Sequence, residues 1–514
     1  MSRARPRAQR IRRNWGLAFV LLLTSCGGAP RESANSPRPE ALSLLHATRG
    51  ANPGIFDAAG RQVILRGVNY GALGDYYIDQ PQYPAPVRPR PDDFAQMAAL
   101  GLNSIRMIVH WSRLEPAPGV YDEDYIGEIR AQIEKAARHG IYVVVDMHQD
   151  AWGKFVASRE AGDTCVSPLQ ASLGWDGAPQ WATLTDGLTT CHIQQREISP
   201  AVSQAFTNFY LDRNGVQAHF VAMWAHLVSA VAGYSNVAGY DLLNEPNPGY
   251  LVGVNGATLL AALYTKLIDA IRVAEHATQG AMPHIVFFEP SIEWSLLGYT
   301  PTPLPNFTPD ANIVFAPHNY CGSLAVTPQD FCFQSSQQVA QGYGVTFWSG
   351  EWGCFGDPAG CLAHVQGFGE HEDSSLTGSA LWQWAQACGD PHSIGSPGAP
   401  VGKETLLLKH LGCPGDVDLG YDETNALVVS RPYPRAAPGR LTAITSDAAS
   451  AAFEVSGTTP TPGLLDVWVP ARIGVPLVDG TQLGAVEIRT VDGGFRISAP
   501  VSGAYHLRVT AAHQ

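Results

Sequence analysis

The chain reads as an α/β protein, a (β/α)8 TIM barrel followed by a C-terminal antiparallel β-sandwich, and three observations predict it. Short apolar runs rich in β-formers recur from residue 63 to residue 384, helical stretches separate them, and from about Asp416 the helices give way to strand-like runs and Gly/Pro/Thr turns. At 514 residues the chain exceeds one ordinary domain, and it suits a barrel of roughly 250 to 400 residues with a small appendage. Apolar residues make up 45% and charged residues 15%, the balance of a core-forming chain rather than a disordered one.

The elements follow in order. Six arginines (Arg3, Arg5, Arg7, Arg10, Arg12 and Arg13) precede the apolar stretch Trp15 to Leu23, too short to span a bilayer but suited to a signal-peptide core. The run Leu23-Thr24-Ser25-Cys26-Gly27 resembles the lipobox of bacterial lipoproteins, which implies cleavage and lipidation at Cys26. Ordinary cleavage to a secreted soluble protein is the alternative. Residues 1–26 are thus expected to be an export signal, 27–44 a Ser/Pro/Ala-rich tether, 45–415 the barrel and 416–514 the sandwich. Loss of residues 1–25 removes six Arg and no acid, taking the net charge from −13 to −19. So acidic a protein is a poor partner for nucleic acid or for anionic lipid surfaces.

The eight barrel runs are Val63–Asn69, Leu102–His110, Ile141–Met147, Val237–Leu243, His284–Glu289, Asn312–His318, Val345–Gly350 and Ser379–Trp384. Helices are predicted over Pro91–Leu100, Asp124–His139, Gly215–Ala232 and Ala257–His276. Eight parallel strands with helical crossovers close most economically as a barrel. An open doubly wound sheet is the alternative, and no Gly-rich phosphate turn follows the first run to favour it. The sandwich runs are Ala426–Ser430, Leu441–Thr445, Ala452–Ser456, Leu465–Val469, Ala485–Thr490, Gly494–Ile497 and Ala504–Val509, with no helix among them. A packing module that steadies the barrel is expected there, ahead of a carbohydrate- or membrane-binding one.

Nine cysteines are present. With Cys26 set aside, the remaining even set in an exported chain reads as four disulfides. The clustering favours sequence neighbours: Cys165–Cys191, Cys321–Cys332, Cys354–Cys361 and Cys388–Cys413. A metal site is the weaker rival, since no CxxC pair appears.

Two glutamates carry the chemistry: Glu245 in LLNEPNPG and Glu351 in FWSGEWG. Each follows a predicted strand, so each is expected at the C-terminal mouth of the barrel. Two carboxylates delivered this way suit glycoside hydrolysis, in which retention of configuration needs them about 5 Å apart. Asn244 is placed to hydrogen-bond a sugar 2-hydroxyl. Arg106, on the second strand, is expected to orient a carboxylate and lower its pKa; a barrel-core salt bridge is the plainer alternative. His148, Gln149 and Asp150 end the third strand, where sugar hydroxyl contacts and a capping role for Asp150 compete. His318 and Tyr320 end the sixth, the tyrosine hydroxyl within reach of the nucleophile. Trp382 ends the eighth as a stacking floor for a sugar or as a packed barrel tryptophan. Glu289 and Glu293 near the fifth strand are read as secondary.

The set Arg106, His148, Asn244-Glu245, His318, Tyr320, Glu351 and Trp382 resembles glycoside hydrolase family 5 of the cellulase-like clan. Within it, the runs VVVDMHQDAWGKF, DGAPQWATLTDG and RPYPRAAPG are similar to the endoglycoceramidases and glycosylceramidases. The resemblance implies hydrolysis of the β-bond between a glycan and a lipid such as ceramide, Glu245 serving as acid/base and Glu351 as nucleophile, with no metal or cofactor. It adds Trp181 and Asp150 as sugar contacts. The chain departs from the group after the first strand, where the run GVNYGALGDYY holds no lysine, leaving the glycan open. Two other function classes remain: a β-glucosidase or β-glucanase acting on glucosylceramide, steryl glucoside or polysaccharide, and a non-enzymatic glycolipid-binding lipoprotein. A monomer that meets the membrane through its anchor and its substrate is expected.

Overall fold

The computed structural model describes residues 42–75, 87–324, 326–355, 358–386, 407–412 and 417–512. The expected export signal with Cys26, most of the expected tether, and Cys388 and Cys413 with their expected pairing lie outside the described residues. No helix among those described is long and apolar enough to cross a membrane.

The strands, in chain order, are β1 (Leu45–Thr48), β2 (Gly54–Asp57), β3 (Arg61–Val63), β4 (Arg66–Tyr70), β5 (Ser104–His110), β6 (Tyr142–His148), β7 (Val237–Asp241), β8 (Ile285–Phe288), β9 (Ile313–Phe315), β10 (Ser349–Trp352) and β11 (Ser379–Leu381). They continue as β12 (Lys409–Gly412), β13 (Val417–Tyr421), β14 (Tyr433–Pro438), β15 (Arg440–Ser446), β16 (Phe453–Pro470), β17 (Pro476–Leu483), β18 (Glu487–Val491) and β19 (Gly494–Ala511). Strands β4 to β11 form one parallel sheet in the order β10-β11-β4-β5-β6-β7-β8-β9. Parallel bridges Phe315↔Phe347 and His318↔Glu351 join its two ends and close the barrel. Every residue of β5 and β6 is buried, as a sheet covered on both faces requires.

Helices Asp93–Ala99, Glu123–Arg138, Val216–Val231 and Val254–Ala277 lie where the sequence places them, with ends shifted by a few residues. Asp122 caps the second by accepting from the Tyr125 amide at 2.9 Å. The barrel core lies between these helices and the strands, with Ile129, Ile133, Trp224, Leu263 and Leu267 fully buried against it.

Two departures concern the C-terminal part. The run Val63–Asn69 is not one strand. It breaks at Ile64-Leu65, and β1, β2 and β3 leave the barrel to join the C-terminal antiparallel sheet, β3 pairing with β14 through Val63↔Ala436. Residues 45–63 therefore pair with the segment the sequence assigns to the sandwich. Ile64 enters the core of that sheet while Leu65 packs under the barrel. The second departure is the run Ala426–Ser430, which belongs to a helix, Glu423–Val429. Asp422 caps it at the Asn425 amide, 2.7 Å away, and a short buried apolar run does not reveal its period.

The remaining strand runs merge into longer elements. β16 and β19 pair along most of their length, with a register break between Thr459 and Gly463. β15 flanks the first half of β16 and β14 the second, while β17 and β18 flank opposite halves of β19. Leu441, Phe453 and Val455 from one half share an apolar core with Leu465, Val467 and Ile497 from the other.

Candidate active site

The mouth of the barrel is organised around Arg106, which is completely buried on β5. Its Nε donates to Asp241 at 2.8 Å, Nη1 to Glu351 at 2.8 Å and to Asn69 at 3.1 Å, and Nη2 to Glu289 at 2.7 Å and Asn244 at 2.9 Å. Asp146 lies 2.9 Å from the same Nη2. A guanidinium presents its donors in a fixed fork, so strands β5, β6, β7 and β10 and the end of β8 are all referenced to one side chain.

Glu351 is on β10, and the Tyr320 hydroxyl donates to its Oε2 at 2.9 Å. Glu245 follows β7 with φ of 38°, a left-handed conformation that a non-glycine residue adopts only when its surroundings impose it. The surroundings do impose it. Its amide donates to Glu289 Oε2 at 2.8 Å, and the Gln149 amide donates to the carbonyls of Asn244 and Glu245 at 2.8 and 3.0 Å. Gln149, expected to touch sugar, is instead committed to holding this turn. The hydroxyl of Ser295, on the short helix Glu293–Leu297, donates to Glu245 Oε1.

His318 sits between the two glutamates, its Nδ1 2.9 Å from Glu245 Oε1 and 3.4 Å from Glu351 Oε2. One carboxylate oxygen of Glu245 and one of Glu351 lie within 4.8 Å of each other. Burial opposes a charge on His318, but Glu289 and Glu351 overcome it and hold its pKa well above the ordinary imidazole value. His148 behaves similarly: burial opposes its charge, yet Asp146, 2.7 Å from Nδ1, lifts its pKa to about 10. Glu351 corrects an expectation. Burial raises its pKa more than His318 and Arg106 lower it, so Arg106 orients the carboxyl without bringing it below the usual range. Burial likewise pushes Glu289 up to about 8 against the pull of His318.

The other sequence-derived residues divide. Asn244 is buried, its Oδ1 on Arg106 and its Nδ2 donating to the Gln149 carbonyl at 3.0 Å. Asp150 Oδ2 lies 3.5 Å from His148 Nε2, and its Oδ1 faces Arg196 at 3.4 Å. Trp382 follows β11 with its ring stacked on His148 at 5.5 Å, and it is only 4% exposed. Trp181 makes its contacts elsewhere: its indole N–H donates to the Glu115 carbonyl and its ring meets Trp111 and His219. Disulfides join Cys165 to Cys191, Cys321 to Cys332 and Cys354 to Cys361.

Sequence reasoning passed over Asp146, Asp241 and Ser295, and it ranked Glu289 too low. A signal was present for the two aspartates: acids inside the apolar runs VVVDMH and AGYDLL are seldom buried without a partner. Ser295 carried none. A cavity of about 440 Å³ between helix Pro358–Ser375 and the β15–β16 edge contains none of these residues.

The fold, the strand ends that carry the two glutamates and their separation define the glycosidase class of (β/α)8 barrels. A family model described as cellulase, glycosyl hydrolase family 5, matches residues 56–387, and the chain belongs to that family. It is similar to the crystal structure of an endogalactoceramidase with TM-score 0.83 and 40% identity, covering 92% of this chain and 100% of that one. Endoglycoceramidase I of Rhodococcus hoagii (strain 103S) is 26% identical over 276 residues, 52% of this chain and 51% of that protein. Endoglycoceramidase from Cyanea nozakii is 25% identical over 311 residues, 54% and 56% respectively. The chain thus spans about half the length of these curated relatives. Endoglycoceramidase II from Rhodococcus sp., solved with ganglioside GM3, shares the fold at TM-score 0.68 and 23% identity over 90% and 100% of the two chains.

Proposed function

We propose that this chain is a retaining β-glycosidase that hydrolyses the bond between a glycan and ceramide, as its relatives' names describe for them. The observation that carries the reading is the spacing of the Glu245 and Glu351 carboxylates, within 4.8 Å at their nearest oxygens, which suits attack and protonation on the two sides of one anomeric centre. Glu351, oriented by Arg106 and Tyr320, attacks the anomeric carbon. Glu245 gives its proton to the departing ceramide oxygen. A water deprotonated by Glu245 then attacks the glycosyl ester, and Glu351 is released as a carboxylate. His148, Asp150, Asn244 and Trp382 line the glycan side in this reading, with Trp181 further out.

Export, with Cys26 lipidated or the chain freely secreted, is part of the same proposal. Three disulfides among the described residues support an oxidising compartment. Mass analysis of the membrane fraction tests the anchor, and absence of a diacylglyceryl adduct rejects it.

The decisive test incubates the mature protein with a ganglioside, a galactose-linked glycosphingolipid and glucosylceramide, beside Glu245→Gln and Glu351→Gln. Intact oligosaccharide and ceramide from the wild type alone are the expected result. Glucose released only from glucosylceramide would replace the endo-acting reading with a glucosylceramidase, a name that several relatives carry. No release from any glycoside would reject hydrolysis and favour simple glycolipid binding.

A further inference from the structure

We propose that Glu289 is a positioning residue for the acid side of this site: its carboxylate fixes the turn that presents Glu245 and keeps both ring nitrogens of His318 protonated between Glu245 and Glu351. The inference rests on the glycosidase reading above. Glu289 directly follows β8 and is 1% exposed, so it acts through its neighbours and not on substrate.

Its two oxygens are divided between the two tasks. Oε2 accepts from the backbone amide of Glu245 at 2.8 Å, directly at the left-handed residue. Oε1 accepts from Arg106 at 2.7 Å and is the ion-pair partner of His318 Nε2 at 3.3 Å. That nitrogen has no acceptor in full hydrogen-bond alignment, so Glu289 is the anion that its proton answers to. The Tyr264 hydroxyl donates to the Glu289 carbonyl at 2.9 Å and fixes the residue from the helix side.

The groups that face the pair come from several strands. His318 meets Glu245 after β7, Glu289 after β8 and Glu351 on β10. Glu289 meets Arg106 of β5 and His318, and it feels Asp241 of β7. A histidine with carboxylates at both ring nitrogens is most stable with both protonated, which makes His318 a fixed cation between acid and nucleophile. Since each Glu289 oxygen faces only donors, an amide in its place must turn an N–H toward another N–H. Shape is preserved and function is not.

The test is Glu289→Gln. Loss of the acceptor misplaces Glu245, and kcat on a glycolipid is expected to fall roughly 10- to 100-fold with KM little changed. Loss of the negative charge lowers the pKa of His318, so the alkaline limb of kcat/KM moves down by about one pH unit. The direct readout is the His318 ring by 15N NMR at about pH 9, above the value near 8 at which Glu289 gives up its proton: doubly protonated in the wild type, singly protonated in Glu289→Gln. A variant with unchanged alkaline limb and unchanged His318 ring overturns the proposal. If the variant does not fold, the wild-type spectrum still decides: a protected proton on His318 Nε2 supports the proposal, and a bare Nε2 overturns it. The spectrum needs no substrate, so failure of the ceramide reading and failure of the Glu289 link are told apart.

Discussion

Two buried ionic clusters hold this molecule, and they differ in their balance. At the barrel mouth Arg106 meets four carboxylates, Asp146, Asp241, Glu289 and Glu351, and together with Glu245 these five acids outnumber the three cations Arg106, His148 and His318. Where the barrel meets the C-terminal sheet, two guanidiniums, Arg66 and Arg431, meet two carboxylates, Glu372 and Asp373. Arg66 also donates to the Arg431 carbonyl at 2.8 Å and stacks over Tyr433. The balanced cluster is a joint, since its charges cancel in place. The unbalanced one leaves carboxyls whose charge is costly, and burial raises the pKa of Asp241, Glu289 and Glu351. An excess of buried acid is poor for stability and suited to proton transfer and attack on carbon.

The contrast can be broken at either cluster. The largest effect is expected at Glu351: Glu351→Gln should lower kcat by about 10⁴-fold or more, about 5.5 kcal/mol at the transition state, measured as ceramide release. Arg431→Met should instead cost about 3–5 kcal/mol of stability by leaving Arg66 as the one guanidinium facing both Glu372 and Asp373, read from urea denaturation. The pH dependence of its activity should match the wild type. Gln149→Leu removes the donor that pins the carbonyls of Asn244 and Glu245, and about 1–3 kcal/mol of lost catalysis is expected from leaving them unpaired. A drop confined to KM would show that the turn holds without it.

The smallest effect is the most diagnostic of the imbalance. A carboxyl whose pKa is raised on folding binds protons more tightly in the native state. Its stabilisation is complete below the unfolded value, 4.5 for glutamate, and is lost as pH rises through the folded value, about 8 for Glu289. Global stability should therefore decline across that window, and Glu351→Gln should make the decline shallower. Arg431→Met should not. Equal slopes in wild type and Glu351→Gln would refute the distinction between the clusters.

Much of this was legible in the residues. Glu245 and Glu351 were found because each ends a strand in a short, constrained run, which is local information. The company they keep was not local. Asp146, Asp241 and Glu289 become one cluster only when three strands converge on Arg106, and no window of sequence reports that convergence. Residues 63–69 misled for a similar reason: the run is continuous in hydrophobicity, but Val63 and Arg66 belong to different sheets. The helix at Glu423–Val429 was hidden by its shortness, although Asp422 was available as a cap.

The pairing of β3 with β14 has a consequence in time. Beyond their local partner β2, residues 61–63 find their second neighbour at Ala436–Pro438, about 370 residues later, which at ordinary synthesis rates is roughly 20–70 s. Until then the N-terminal strands present open edges and the joint at Arg66 lacks Arg431. A nascent chain built this way stays unfinished while most of it is being made, which is the state in which a polypeptide can still be threaded across a membrane.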